Sequence, residues 1–331
     1  MLTHRNLYSC ALTWIIETQP TYGDVHLIFT PQFHTAALWP MFLHFMLGNT
    51  QIVLKQFNVE TLIAAIEEHK VTHSMWMSSI IGPILSHPDV VNKKRDISTL
   101  RLITTGGAPL PAVLARRLID TIGCTVTCSG GQTEAGIFSI ITYNEHIDSH
   151  PERMASVGIP AVNMKFRIVD TDDKEVPPDV VGELVVRGEN VMKGYWDMPD
   201  ETSVSMRGGW QHTGDLCKVD RDGYLYYVDR LKDMIKTGGE NVYSKEVEEV
   251  LYDCPDVLEA AVIGIPDEKW GEMIKALIVL KEGKKTTEEE ITGFCKDRLA
   301  GFKCPKTVAF VDDLPKTALV KVDKPGLRGK R

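Results

Sequence analysis

From residue 24 to about residue 130, short apolar runs alternate with amphipathic stretches in helical period. That alternation restricts the fold more than any other feature of the chain. DVHLIFT, QIVLK, VTHSMWM, LRLITT and TVTCS read as strands. Between them, TAALWPMFLHFML, VETLIAAIEEHK, SSIIGPILSH and PAVLARRLIDTIG space their apolar residues three and four apart and read as helices. Gly123 is placed to close the last of these with a left-handed residue. Apolar strands separated by helices imply a mostly parallel sheet covered on both faces. In such sheets ligands sit beyond the carboxyl ends of the strands.

The pattern changes further on. Over 156–229, MKFRIVD, GELVVRG, LCKVD and YLYYVD are short strands between Gly, Pro and Asp turns, the pattern of an antiparallel sheet or small barrel. After Arg230 helix and strand signals mix. SKEVEEVLYDC reads as a helix with Ser244 as its N-cap. LEAAVIGIP, KALIVL and TVAFV read as strands. TTEEEITGFCKDRLAG reads as a helix opened by a Thr287–Glu290 capping box and closed by Gly301.

A net charge of −8 argues against a general nucleic-acid binder, and the basic tail KVDKPGLRGKR reads as a solvated end. Seven cysteines without framework spacing fit a reducing, cytoplasmic setting. Cys124 and Cys128 lack the second pair that a zinc site needs. His69 with His73, and the EHIDSH stretch, likewise fall short of a metal-ligand set. The longest apolar stretch, AALWPMFLHFMLG, is too short to span a bilayer and is broken by Pro40 and His44.

Three glycine pairs adjoin strands, in TTGGAPLP, CSGGQTEAG and KTGGENVYS. Each lets the backbone approach a ligand, and a following helix would offer free amides to an anion. Each also fits an ordinary strand-to-helix turn, and none matches the Walker or dinucleotide pattern. In QHTGDLCKV, Asp215 can accept hydrogen bonds from both hydroxyls of a ribose. In YVDRLKDMIKTGGEN, Arg230 can fork a phosphate or ribose oxygens. Singly, Asp215 is equally a turn residue, and Asp229 with Arg230 a local surface ion pair.

Together these stretches resemble a known series. GGAPLP, GGQTEAG, GELVVRGENVMKGYW, WQHTGDL, DGYLYYVDRLKDMIKTGGENVYSKEVEEVL, AAVIGIPDEKWGE and LPKTALVKVDKPGLR occur in the order found in acyl-CoA synthetases of the acyl-adenylate-forming superfamily. The hinge block is most similar to medium- and long-chain or aryl acid CoA ligases. The resemblance implies a carboxylic acid substrate with ATP, magnesium and coenzyme A. It implies part of a large α/β adenylate-forming domain: a core over 1–155, an antiparallel β subdomain over 156–229, a hinge at 230–232 and a mobile α+β domain over 233–331. By the same resemblance Glu134 holds magnesium, Thr133 lies near the α-phosphate, and Asp215 with Arg230 binds the ribose. Gly106, Gly107, Ala108 and Pro109 line the adenine and acyl site. His34 faces the acyl carboxylate, unless it is structural. Lys321 bridges carboxylate and α-phosphate during adenylation. Lys232 stands at the hinge, and Gly238 and Gly239 face the thiol during thioester formation.

The first ten residues, MLTHRNLYSC, enter helical period at once, with Leu7, Ala11, Trp14 and Ile15 on one face and no evident cap. In the family, the stretch like MLTHRN directly follows a Thr/Ser/Gly-rich phosphate loop. Met1 is therefore expected to be an internal methionine of a longer ligase, or the start of a remnant of one. Loss of the preceding subdomain would leave an apolar patch or strand edge for self-association or an N-terminal partner. Two further departures stand out. Gly130 takes the place of an aromatic residue expected to stack on adenine, and Leu319 and Val320 replace the usual Thr-Gly before Lys321. Three functions stay open: an acid–CoA ligase, an inactive nucleotide- or protein-binding remnant, and a half-enzyme completed by another chain. HSMWMSSIIGPIL reads as apolar pocket wall, which favours a fatty or aryl acid, or equally as core. A carrier-protein thiol is an alternative to coenzyme A.

Overall fold

The computed structural model describes residues 1–107, 110–317 and 322–329. They form two compact units: Met1–Thr213 with Cys217–Tyr227, and Gly214–Leu216 with Val228–Arg331. The first unit carries a seven-stranded sheet of β1 (Val25–Ile28), β2 (Thr50–Val53), β3 (His73–Trp76), β4 (Leu102–Gly106), β5 (Thr125–Gln132), β6 (Gly136–Thr142) and β7 (Ile159–Pro160). Its order is β2-β1-β3-β4-β5-β6-β7. The strands from β2 to β5 pair in parallel, whereas β5 with β6 and β6 with β7 are antiparallel. Parallel neighbours need crossovers, and the helices supply them. Helix α1 (His4–Thr18) precedes β1; the crossovers are α2 (Thr35–Met46), α3 (Val59–His69), α4 (Ser78–Leu85), α5 (Pro88–Val91) and α6 (Ala112–Ile122), and α7 (Tyr143–His146) follows β6. Gly123 ends α6 in the left-handed region, as its sequence position suggests.

The helix faces meet in one core containing Trp14, Leu27, Leu43, Ile66 and Trp76. Trp76, Ile81 and Ile84 have no exposed surface, so HSMWMSSIIGPIL forms core there. The start of α1 corrects the sequence reading. The Thr3 hydroxyl accepts a hydrogen bond from the Asn6 amide, and the Asn6 side chain accepts one from the Thr3 amide, a reciprocal cap. Asn6 also donates to the carbonyls of Glu189 and Val191.

A four-stranded sheet follows, with β8 (Met164–Val169), β9 (Gly182–Gly188), β10 (Gln211–Val219) and β11 (Leu225–Arg230) in the order β11-β10-β9-β8, β8 and β9 pairing antiparallel. Helix α8 (Pro199–Ser205) lies between β9 and β10 in sequence.

The second unit has β12 (Ile235–Thr237), β13 (Glu240–Val242), β14 (Val257–Asp267), β15 (Gly271–Leu280) and β16 (Thr307–Phe310), with helices α9 (Ser244–Tyr252), α10 (Glu288–Lys296) and α11 (Lys324–Gly329). The strand order is β13-β12-β15-β14, and β16 pairs in parallel with β15. Alternate residues of β14 feed two cores. Ala260 and Val262 pack with Val247 and Ile291, while Ala261 and Ile263 pack with Leu314 and Leu327.

Several local expectations fail here. The N-cap of α9 is Tyr243, one residue before Ser244, and the Ser244 hydroxyl bonds Asp229 instead. Helix α10 opens on the Thr287–Glu290 box but ends at Lys296, short of Gly301, which opens a separate turn. Two of the glycine pairs precede no helix. Gly130 and Gly131 lie inside β5, and Gly238 and Gly239 form the left-handed turn of the β12–β13 hairpin at φ +60° and +87°. All seven cysteines are buried and free of disulfides. Among the described residues, no helix is long and apolar enough to cross a membrane.

Candidate active site

In the first unit the carboxyl end of β4 lies beside the middle of β5, with Gly106 opposite Ser129. A side chain at Gly106 would put its Cβ 3.1 Å from the Ser129 hydroxyl, so glycine lets these strands close up. Gly107 follows at φ +82°. Ala108 and Pro109 lie outside the described residues. Strand β5 continues through a bulge at Gly130 and Gly131 and turns back into β6. The turn carries Thr133, exposed, and Glu134, half-buried. Beside Gly130 the space is filled: a Cβ there would lie 2.7 Å from the Phe138 ring and would also meet the Ser139 hydroxyl. Phe138 is buried, so its ring does not replace the missing aromatic as an open stacking face.

Two contacts fix Glu134. Its carbonyl accepts from the Met192 amide at 2.7 Å, and its carboxylate accepts from the Tyr195 hydroxyl at 3.2 Å. Burial, and next the Glu134 carboxylate, raise the Tyr195 phenol above its ordinary range, which keeps it a donor. Among the described residues no lysine, arginine or histidine pairs with Glu134. A half-exposed carboxylate without a cationic partner suits a hard divalent cation such as magnesium. Gln132 donates to the Thr213 carbonyl at 2.9 Å, tying the hairpin to β10. His34 caps α2, its Nδ1 accepting from the Ala36 amide at 3.1 Å. Tyr195 lies in GELVVRGENVMKGYW, but the motif resemblance gives it no role.

In the second unit Asp215 is buried, and Arg230 Nε meets its carboxylate at 2.9 Å. The local Asp229–Arg230 ion pair is therefore not formed. Asp229 accepts from the Ser244 hydroxyl at 2.9 Å and from the backbone amide of Arg230 at 2.8 Å. Lys232 is exposed in a single turn over Leu231–Asp233. Gly238 and Gly239 are exposed, with Trp270 beside Gly238. Lys321, with Leu319 and Val320, lies outside the described residues.

A third cluster went unseen in the sequence. His26, His44 and His73 are buried together. His44 Nδ1 faces the Asn49 amide at 3.1 Å, His44 Nε2 faces His73 Nδ1 at 2.6 Å, and His73 Nε2 faces the Thr104 hydroxyl at 3.2 Å. His26 Nδ1 faces the His73 carbonyl at 3.2 Å. The His26 and His44 rings stack at 4.3 Å and 13°. In parallel stacked rings the nitrogen lone pairs lie in parallel planes and do not converge on one ion. Nitrogens at 2.6 Å share a proton rather than a metal. Burial lowers all three imidazoles below their ordinary range, His44 to about 4.

The family model described as AMP-binding enzyme matches residues 1–196. The chain belongs to that family. The model for the AMP-binding enzyme C-terminal domain matches residues 246–321. Among related AMP-binding enzymes, the feruloyl-CoA synthase of an Amycolatopsis species is 40% identical over 329 residues, spanning 99% of this chain and 66% of the relative. The medium/long-chain-fatty-acid–CoA ligase of Mycobacterium tuberculosis is 38% identical over 290 residues, spanning 86% of this chain and 50% of the relative. The solved o-succinylbenzoate CoA synthetase of Bacillus subtilis, in complex with its acyl-adenylate, superposes with a TM-score of 0.89 at 32% identity, covering 100% of this chain and 66% of that one. The same enzyme has been solved with ATP and magnesium. The fold is thus the α/β fold of adenylate-forming enzymes. This AMP-binding enzyme chain spans slightly less than two thirds of the length of the first of these relatives.

Proposed function

We propose that the chain carries the nucleotide-binding and adenylate-forming residues of an ATP-dependent carboxylic acid–CoA ligase acting on a fatty or aryl acid. The observation that carries this is the buried Asp215 paired with Arg230 at 2.9 Å, in a family that binds AMP. A carboxylate held in place by a guanidinium keeps lone pairs oriented for two ribose hydroxyls. The acid's carboxylate attacks the α-phosphate of ATP, forming the acyl–phosphate bond and expelling pyrophosphate. The thiol of coenzyme A then forms the thioester and expels AMP. Magnesium, held at Glu134, would neutralise phosphate oxygens. Thr133 lies beside that group in the same turn. Gly106, Gly107, Ala108 and Pro109 shape the adenine and acyl wall, with His34 at the acyl carboxylate. Lys321 serves adenylation, and Gly238 and Gly239 the thiol step. Residues 230–232, with Lys232, form the hinge between the part over 1–229 and the mobile part over 233–331. Free, buried thiols support a cytoplasmic setting.

Acid-dependent ATP–pyrophosphate exchange by the 331-residue chain, across fatty and aryl acids, tests this reading. The sequence contains no Thr/Ser/Gly-rich phosphate loop of the family type, and it spans 66% of its relative. These facts favour a second reading: nucleotide binding here, with turnover only when an N-terminal portion is present. Exposed Tyr8 and Ile16 on α1 and Phe45 on α2, with edge strand β2, would face that portion or a second copy. Exchange that appears only on adding a relative's N-terminal portion would select the second reading.

Tyr195→Phe removes the hydroxyl that orients Glu134 and leaves the ring in place. It is expected to raise the magnesium concentration needed for half-maximal ATP binding about tenfold, an effect typical of lost outer-shell partners. Titrating magnesium into chain and ATP checks this, and an unchanged requirement would separate Tyr195 from the metal.

A further inference from the structure

Arg230 is held by more than Asp215. Its backbone amide donates to Asp229 Oδ1 at 2.8 Å. The other oxygen of Asp229 accepts from the Ser244 hydroxyl at 2.9 Å, and that hydroxyl accepts from Lys324 Nζ at 2.7 Å. Lys324 also pairs with Glu248 at 2.8 Å. On the other side of Arg230, the buried Asp233 accepts from Arg328 Nη2 at 2.9 Å. Lys324 and Arg328 stand four apart on α11 and so share a face. Between them in sequence, Leu327 is buried in the core against β14.

We propose that α11 is a two-point clamp, in which Lys324 through Ser244 and Asp229, and Arg328 through Asp233, position Arg230 for the nucleotide. The two aspartates bracket Arg230 and Lys232 in sequence, so both ends of the turn that carries them are tied to one helix. A guanidinium whose backbone is fixed on both sides loses less freedom when it binds, and preorganisation of that kind raises affinity. The clamp's charged groups are largely but not wholly shielded from water, with Arg328 the most exposed at 29%, and losing one partner there leaves the other partly buried without its pair. Lys324 and Arg328 are thus positioning residues that touch no ligand. The inference rests on the reading of Asp215 and Arg230 as the nucleotide site.

AMP affinity of the whole chain, measured by calorimetry, tests it. Arg328→Met is expected to weaken AMP binding about fivefold or more, and Arg328→Lys to recover part of the loss. In an Arg230→Ala background, Arg328→Met should cost nothing further, because its effect passes through Arg230. A purely structural role would give the same loss in both backgrounds and overturn the proposal. So would unchanged affinity in Arg328→Met while the wild type binds AMP. If Arg328→Met fails to fold, the paired change Arg328→Met with Asp233→Asn removes both charges and carries the same comparison. Absence of AMP binding by the wild type would overturn the nucleotide reading itself, and the clamp with it.

Discussion

Glu134→Gln is expected to lower acid-dependent pyrophosphate exchange, in whichever preparation supports it, by about 10²- to 10³-fold. The amide has the size of the carboxylate and still accepts from Tyr195 with its oxygen, and the Glu134 backbone bond to Met192 does not depend on the side chain. The turn should therefore fold as before. What is lost is the charge that draws a divalent cation to phosphate oxygens. Two readouts separate this from general damage. Manganese binding in the presence of ATP, followed through the free-ion spin resonance signal, should weaken in the variant. Excess magnesium should restore part of the rate. A rate loss unaffected by magnesium, with manganese binding intact, would remove Glu134 from the metal site.

The second large effect is loss of stability in mild acid. His26, His44 and His73 are buried as neutral rings, and folding holds their pKa values below the ordinary 6.5. The unfolded chain binds protons on these groups before the folded chain does. Their contribution is therefore complete above pH 6.5 and is lost as pH falls from there toward the folded values. For His44, lowered to about 4, that contribution is about 3 kcal/mol at neutral pH. Neighbouring charges partly oppose one another: Asp24 raises the pKa of His44 and Arg101 lowers it, with burial the largest influence. Asp24 titrates lower still. Burial alone would raise it, but its bonds with Arg101, Thr21 and Thr72 together bring it below 3.8, so its loss comes below that of His44. Urea midpoints should be flat above pH 7 and fall steeply from pH 6.5 to 4. His44→Leu should cost about 1–3 kcal/mol at pH 7.5, by stripping partners from Asn49 and His73. Its decline with acid should be shallower by one proton. Parallel curves for variant and wild type would remove His44 from the transition.

Much of the architecture could be read directly, for definite reasons. Strands buried on both faces carry no formal charges, so β1 (VHLI), β3 (HSMW) and β4 (LITTG) stand out from helices such as α3 and α6, whose outer faces are charged. Turns containing glycine were harder. Gly130 and Gly131 have no side chains to continue the alternation, so β5 looked finished before it was. The Thr3–Asn6 cap uses a shorter partner than the usual Glu or Gln, and Ser244, one residue inside α9, was taken by Asp229. The Asp215–Arg230 contact was legible only through the resemblance, since local spacing pointed equally to Asp229. Nothing in spacing joins His26 to His73, 47 residues apart. Parallel pairing of β1 with β3 sets them opposite each other, and α2 brings His44 to them. Lys321, Ala108 and Pro109 remain expectations from the sequence.

The seven buried thiols have a consequence for the life of the chain rather than its chemistry. Burial pushes the thiols of Cys10 and Cys124 up to about 12, and that of Cys295 to about 11, far from the thiolate that oxidants and alkylating agents attack. A folded molecule presents such reagents with almost nothing, and an opened one presents seven targets. Modification traps the open form, so the interval before damage tracks how often the fold opens. Acid that charges the histidine cluster would thereby shorten the chain's survival under oxidants through unfolding alone.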